Sequence, residues 1–445
     1  SQDDLNASMG LFCSDTRFLS RLELQIEGRS PILLSSTAEK GFELTVLCTN
    51  PRIEDQIPAE TIGIRRELVI NGGLFEEIEI SNYDTRTVSF ELSLSFDADF
   101  RDLFEIRGAT RDRKGQLLRL VPKAKEFSLE VSETEAPYDS SIDLLPPPEE
   151  MVLAYQGVDK ILLESRIQFV QRKPDLLKGH TAIWRLNLAS HETCTLGYRL
   201  QMLSRNQSAS GVSAPVTLAQ AKAAELMEEQ TWENQATQIQ TDKNTFNRLI
   251  DRAKQDVYVL RQTFGQNKAL SAGVPWFSTL FGRDSIIAAS QLLMLDPQIA
   301  RETLLILAYY QGKVEDDWRD EQPGKILHEI RFGEMARCQE VPHTPYYGTV
   351  DATPLWIMLY TEYFAWTADH ETLERLWPHA LAAMDWIDRT SRETGYLSYF
   401  RKSKRGLDNQ GWKDSDNCIV NRKGQLAQGS IALSEVQAYV YSAKV

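Results

Sequence analysis

Several things are scarce in this chain, and each scarcity removes a class of function. Long apolar runs are missing: nothing approaches the roughly 20 residues that cross a bilayer, so no membrane span is expected. Positive charge is in deficit. Lys and Arg number 49 against 63 Asp and Glu, a net charge of -14, and that field repels nucleic acid and anionic membrane surfaces alike. A neutral partner fits better. Cysteine is sparse as well: Cys13, Cys48, Cys194, Cys338 and Cys418 are odd in number, far apart and without a Cys-x-x-Cys pair. They read as ordinary reduced thiols, neither a disulfide framework nor a zinc site. No signal peptide opens the sequence, so a cytoplasmic address is the expectation.

What is present is ample core material. Hydrophobic residues make up 42% and charged ones 25% of 445 residues, the balance of a globular protein long enough for two domains or a domain plus a large helical toroid.

The apolar pattern changes period along the chain. From about residue 10 to 205 it alternates, most clearly over Val88-Ser-Phe-Glu-Leu-Ser-Leu-Ser-Phe96, and again at Leu22 to Glu27 and Trp184 to Leu188. Alternation puts one face on a core and one in water, and with a turn at Asn71-Gly72-Gly73 it predicts an antiparallel sandwich. A Pro-, Ser- and Asp-rich stretch from Pro137 to Pro148 reads as a long surface connection within it. After Ser204 to Gly211 the text becomes Ala- and Glu-rich, bridging Val216 to Glu229. From residue 242 the period is helical: Phe246, Leu249, Ile250, Ala253, Val257 and Leu260 have the spacing of a buried helix stripe. Asp296-Pro297 and Thr353-Pro354 read as helix starts, and Gly312 as a stop. Helix follows helix without alternating strands, which disfavours a parallel-stranded (β/α)8 barrel and leaves an all-helical toroid. Chemistry concentrates in three clusters of that half.

Gly273-Val-Pro-Trp276-Phe277 followed by Gly282-Arg283-Asp284 combines aromatics, a bidentate cation and an acceptor just before a helix expected over Ser285 to Leu295. Sugars need this mixture, because a pyranose face packs on a ring while its hydroxyls are gripped by charged groups. The plainer alternative has Asp284 capping a helix and Trp276 in the core. The second cluster runs from Pro323 through His328, Glu329, Arg331 and Glu334, then Tyr346, Tyr347 and Asp351 to Pro354. Glu329, Arg331 and Asp351 could line a pocket with the tyrosines, or belong to a solvated loop. No second His stands three or four residues from His328, so no metal site is expected. The third cluster, Asp408 to Asn417, offers Trp412 beside Asp414 and Asp416. Glycoside cleavage needs a carboxylic acid, and an adjacent aromatic can keep one protonated; a solvated turn is the other reading.

Five blocks together carry a resemblance: Gly10 to Arg21, Asp102 to Gly108, Gly273 to Asp284, Pro323 to Glu329 with Tyr346 to Pro354, and Asn409 to Ser415. On these the chain resembles, along nearly its whole length, the bacterial glycogen-debranching-enzyme-like family often labelled amylo-α-1,6-glucosidase. The resemblance implies an N-terminal β-sandwich on an (α/α)6 barrel and an inverting α-glucosidase acting on α-1,6 branches of glycogen or related glucans, without cofactor or metal. It assigns the grip on a terminal glucose to Arg283 and Asp284 and the general acid to Asp414, with Asp416 in reserve; Trp276 and Phe277 join the substrate-binding candidates on their residue types. Glu329, Arg331, Tyr347, Asp351, Trp412 and Glu435 are further substrate-binding candidates on the same reading of the residues. No residue matches the general base.

Asp284, Asp351 and Asp414 are 67 and 63 residues apart, about two helices plus loops each, so successive hairpins are expected to bring one carboxylate apiece to the same rim. The expected organisation is a β-sandwich over 1–212, a helical linker over 213–241 and the first part of an (α/α)6 glycosidase domain over 242–445. Only about half of the twelve helices are expected, so the toroid reads as incomplete at its C-terminal side. Trehalase-like or glucosylglycerate-type hydrolysis, and a non-catalytic carbohydrate-binding fragment, are the alternative functions.

Overall fold

The computed structural model describes residues 8–54, 56–123, 126–130, 149–204 and 215–445. The Pro137 to Pro148 connection and the 205–211 stretch lie outside these. The chain forms two compact units, Ser1–Thr231 and Trp232–Val445.

The first unit is a sandwich of two antiparallel sheets, one of nine strands and one of four. Alternation is the reason. In Val88–Asp97, one of the two inner strands of the smaller sheet, the apolar residues turn inward and Ser89 outward, and Thr181–Leu188 pairs with it from Thr181↔Ser95 to Leu188↔Val88. Across the interior Phe96 meets Tyr198 of the larger sheet edge-to-face at 5.0 Å, and Trp184 meets Phe169 at 5.8 Å. The expected hairpin joins Ile62–Ile70 to Gly73–Asn82, with Gly72 alone at positive φ, +60°.

The first two blocks of the resemblance meet here: Thr16 bridges Asp102, and the Leu103 amide donates to the Asp15 carbonyl at 2.8 Å. Asp102 and Glu105 form a capping box on the short helix α1 (Leu103–Ile106). Their role is architectural. Helix α2 (Leu218–Gln235) occupies most of the expected linker, and its Lys222 pairs with Glu43 and Glu67 of the sheet, both at 2.8 Å.

The second unit begins its helices with α3 (Asn244–Leu260). The helix is as expected, but its stripe is not buried: Phe246 is 51% and Leu249 62% exposed, and the buried positions are Lys254 and Tyr258. Periodicity reports an apolar face, and tertiary packing decides whether it is covered. A hairpin then intervenes, Arg261–Phe264 with Asn267–Leu270, turned by Gly265 at φ +65°. Strands of four residues are too short for alternation to announce.

Helix α4 (Gly282–Gln291) starts three residues earlier than expected, which puts Arg283 and Asp284 in its first turn. Helix α5 (Pro297–Tyr309) has the Asp296 cap and first-position Pro that the sequence signals, and it ends short of Gly312. A long irregular stretch follows, interrupted by α6 (Glu334–Arg337). Helix α7 (Ala352–Thr367) has its N-cap at Asp351, two residues before Thr353, whose hydroxyl accepts from the Ile326 amide at 2.9 Å. Apolar on most sides, α7 is the central helix, packed by α4, α5, α8 (His370–Ser391) and α9 (Ser434–Lys444). Among the described residues no helix is long and apolar enough to cross a membrane.

Candidate active site

The site grows from the start of α4. Gly282 lies so near the neighbouring chain that a Cβ there would sit 2.0 Å from the Leu327 carbonyl oxygen, and its amide donates to the His328 carbonyl at 2.8 Å. Only glycine lets the two backbones approach in this way. Phe281 bridges Glu329, and Glu329 bridges Tyr346, so the loops carrying the second cluster are stitched to the helix that carries the first. These loops are buried, not solvated: His328, Glu329, Arg331, Tyr346, Tyr347 and Asp351 are all inside.

From that start Arg283 points inward. It donates to Asp351 Oδ2 at 3.1 Å, to the Gly411 carbonyl at 2.7 Å and to Asp414 Oδ2 at 3.0 Å. One guanidinium thereby joins the three clusters. Burial works against its charge, but Asp351, Asp284 and Asp414 outweigh burial and hold Arg283 above its ordinary value. Asp351 stands at the N-cap of α7 without capping it; its carboxylate serves Arg283 and accepts from the Thr349 hydroxyl at 2.5 Å. Asp414 keeps 41% of its side chain exposed, and the Arg283 cation lies 5.8 Å from the ring centre of Trp412. Asp284 is half-buried beside Arg283.

A cavity of about 500 Å³ opens here, lined by Trp412, Lys413, Ile419, Leu433, Glu435 and Tyr439. That volume is in the range of small-molecule sites. Burial, reinforced by Asp351 and Glu435, pushes the Tyr439 hydroxyl up, while Arg283 pulls it down.

The remaining candidates are located elsewhere. Glu329 is turned to Arg331 at 2.8 Å and to His343 at 3.0 Å. Burial opposes its charge, but His343 and Arg331 beside it outweigh burial and hold the carboxyl well below its usual range. Arg331 also donates to the Trp276 carbonyl at 3.1 Å, so this pair braces the Gly273 to Phe277 turn. Phe277 rests against Phe281 at 5.9 Å, and the Tyr347 hydroxyl donates to the Tyr310 carbonyl at 2.7 Å. Of the expected sugar-binding residues, Trp412 and Glu435 line the cavity wall, whereas Trp276, Phe277, Arg283, Asp284, Glu329, Arg331, Tyr347 and Asp351 do not, and neither does Asp414. Asp416 is exposed on the loop surface.

Two residues escaped the sequence reading. Tyr439 stands four residues after Glu435 on α9, and helical spacing would have found it. Asp320 gives no such signal: it is buried, at φ +52°, in a stretch without periodicity.

Residues 2–199 match the family model described as the N-terminal domain of (some) glycogen debranching enzymes. Among solved structures, a putative kojibiose phosphorylase from human microbiome is 9% identical with a TM-score of 0.54, over 86% of this chain and 51% of that one. A bacterial glucoamylase complexed with acarbose is 11% identical with a TM-score of 0.45, over 86% of this chain and 55% of that one. The chain thus spans about half the length of either. No curated protein matches it.

Proposed function

From the premise that residues 2–199 match the N-terminal domain of some glycogen debranching enzymes, we propose that this carbohydrate-active chain carries part of an inverting α-glucosidase for α-1,6 branches of glycogen or related glucans. Asp414 is the general acid. It donates a proton to the glycosidic oxygen as the bond to the anomeric carbon breaks, and water attacks from the opposite face of the ring. Arg283 binds Oδ2, which leaves Oδ1 for the proton transfer. Trp412 supplies a platform for the sugar's apolar face and Glu435 an acceptor for its hydroxyls. Asp284, in the first turn of α4, is the further acceptor for a terminal glucose. The general base stays unassigned.

The carrying observation is Arg283 spanning Asp351 and Asp414 beside an aromatic-walled cavity. The test is glucose release from α-1,6-, α-1,4- and α,α-1,1-linked glucosides. The α-1,6 substrate is expected to be preferred, and Asp414→Asn is expected to lower its rate by about 10²–10⁴-fold. An unchanged rate in that variant would discard Asp414 as the acid. Isomaltose binding without turnover would favour a purely sugar-binding role, and preference for the α,α-1,1 linkage a trehalase-like one.

A further inference from the structure

Between α8 and α9 the chain forms no helix or strand among the described residues, yet this is the segment that presents Asp414. Something else must hold it. The Asp320 carboxylate, only 3% exposed, is at the centre of what does. Its Oδ1 accepts from the amides of Lys402 at 2.8 Å and Ser403 at 3.0 Å. Its Oδ2 accepts from the Tyr346 hydroxyl at 2.9 Å and from Gln410 Nε2 at 3.1 Å. Tyr346 Oη in turn accepts from the Leu407 amide at 2.8 Å.

The hub therefore grips the segment at 402–403, 407 and 410. Beyond it, the Gln410 carbonyl accepts from the Val350 amide at 2.7 Å, next to Asp351, and Asn409 Nδ2 donates to the Ser415 carbonyl at 2.6 Å, next to Asp414. The chain is fitted closely over this hub: a Cβ on Gly406 would lie 2.4 Å from Tyr346 Oη and 2.9 Å from Asp320 Oδ2, and one on Gly348 would lie 2.0 Å from Tyr346 Oη.

We propose that Asp320 is a positioning residue that fixes the Asp414 loop relative to Asp351; this rests on the reading of Asp414 as the acid. Only a carboxylate suits the place. Four donors converge on it, and an amide at 320 would turn an NH2 group against two of them, leaving buried donors unpaired. A loop displaced by about 1 Å is expected to cost on the order of 10²-fold in rate while substrate binding is kept.

Hydrogen–deuterium exchange on the intact chain tests the loop without requiring turnover. In Asp320→Asn, and in the milder Tyr346→Phe, exchange of 402–417 is expected to rise about tenfold while α5, α7 and α8 exchange as in wild type. Glucose release is expected to show kcat reduced by about 10–100-fold with KM within about twofold. Unchanged exchange of 402–417 in both variants, or a uniform rise across the helices, overturns Asp320 as the loop's anchor. If Asp414→Asn keeps the wild-type rate, the acid assignment fails first and the catalytic part of this proposal fails with it. If Asp414→Asn is inactive but both hub variants turn over normally, Asp320 alone is overturned.

Discussion

Arg283 has one positive charge and faces Asp284, Asp351 and Asp414. Its planar fork reaches Asp351 and the Gly411 carbonyl with one nitrogen and Asp414 with the other, a geometry that a lysine's single ammonium does not reproduce. Arg283→Lys is expected to keep the fold but release Asp414, lowering glucose release by at least tenfold at unchanged melting temperature. Retention of the wild-type rate would show that the fork is dispensable. At Lys325, burial lowers the amine from its ordinary 10.5 to about 8, partly offset by Asp320. Between those values the unfolded chain holds a proton that the folded chain has given up, so stability rises with pH across this window. Above about 10 the effect reverses, because burial pushes Tyr346 and Tyr347 upward and the folded chain keeps protons that the unfolded one loses. Denaturant melts between pH 8 and 10 are expected to show the rise in wild type and a flatter profile in Lys325→Met.

At the scale of elements, two helices show opposite relations between pattern and packing. Helix α7 is buried at Trp356 and, stacked on it at 5.7 Å, Tyr360. Trp356→Ala is expected to cost about 3–5 kcal/mol, measurable in a denaturant titration of the second unit. Helix α3 has a clear apolar face, but Phe246 and Leu249 on it are exposed; their replacement by Ser is expected to change stability by less than about 0.5 kcal/mol. The entry to α4 depends on backbone contact instead. With the Leu327 carbonyl 2.0 Å from a Cβ at 282, Gly282→Ala has to push the helix start away from His328 and carry Arg283 with it. Activity is expected to fall more than stability in that variant.

At the scale of the molecule, the two units have separate interiors. The sandwich core around Phe96, Trp184 and Tyr198 is drawn from both sheets of the first unit. A fragment of residues 1–231 contains a single tryptophan, Trp184, and is expected to melt cooperatively with blue-shifted emission from that buried ring. Non-cooperative melting with emission like that of a solvated indole would contradict an independent core.

Period and punctuation in the sequence determined the sandwich, the change to helices and the Asp296 cap, because these depend on neighbours within a few residues along the chain. The same information put Asp284, Asp351 and Asp414 two helices apart. Only the tertiary structure decided which side chains meet. Glu329 was expected to face a sugar and is instead paired with Arg331 and His343; Asp320, silent in the sequence, gathers donors from residues up to 90 positions away. Contacts of that range are set by how the loops close over one another, and no local pattern encodes them.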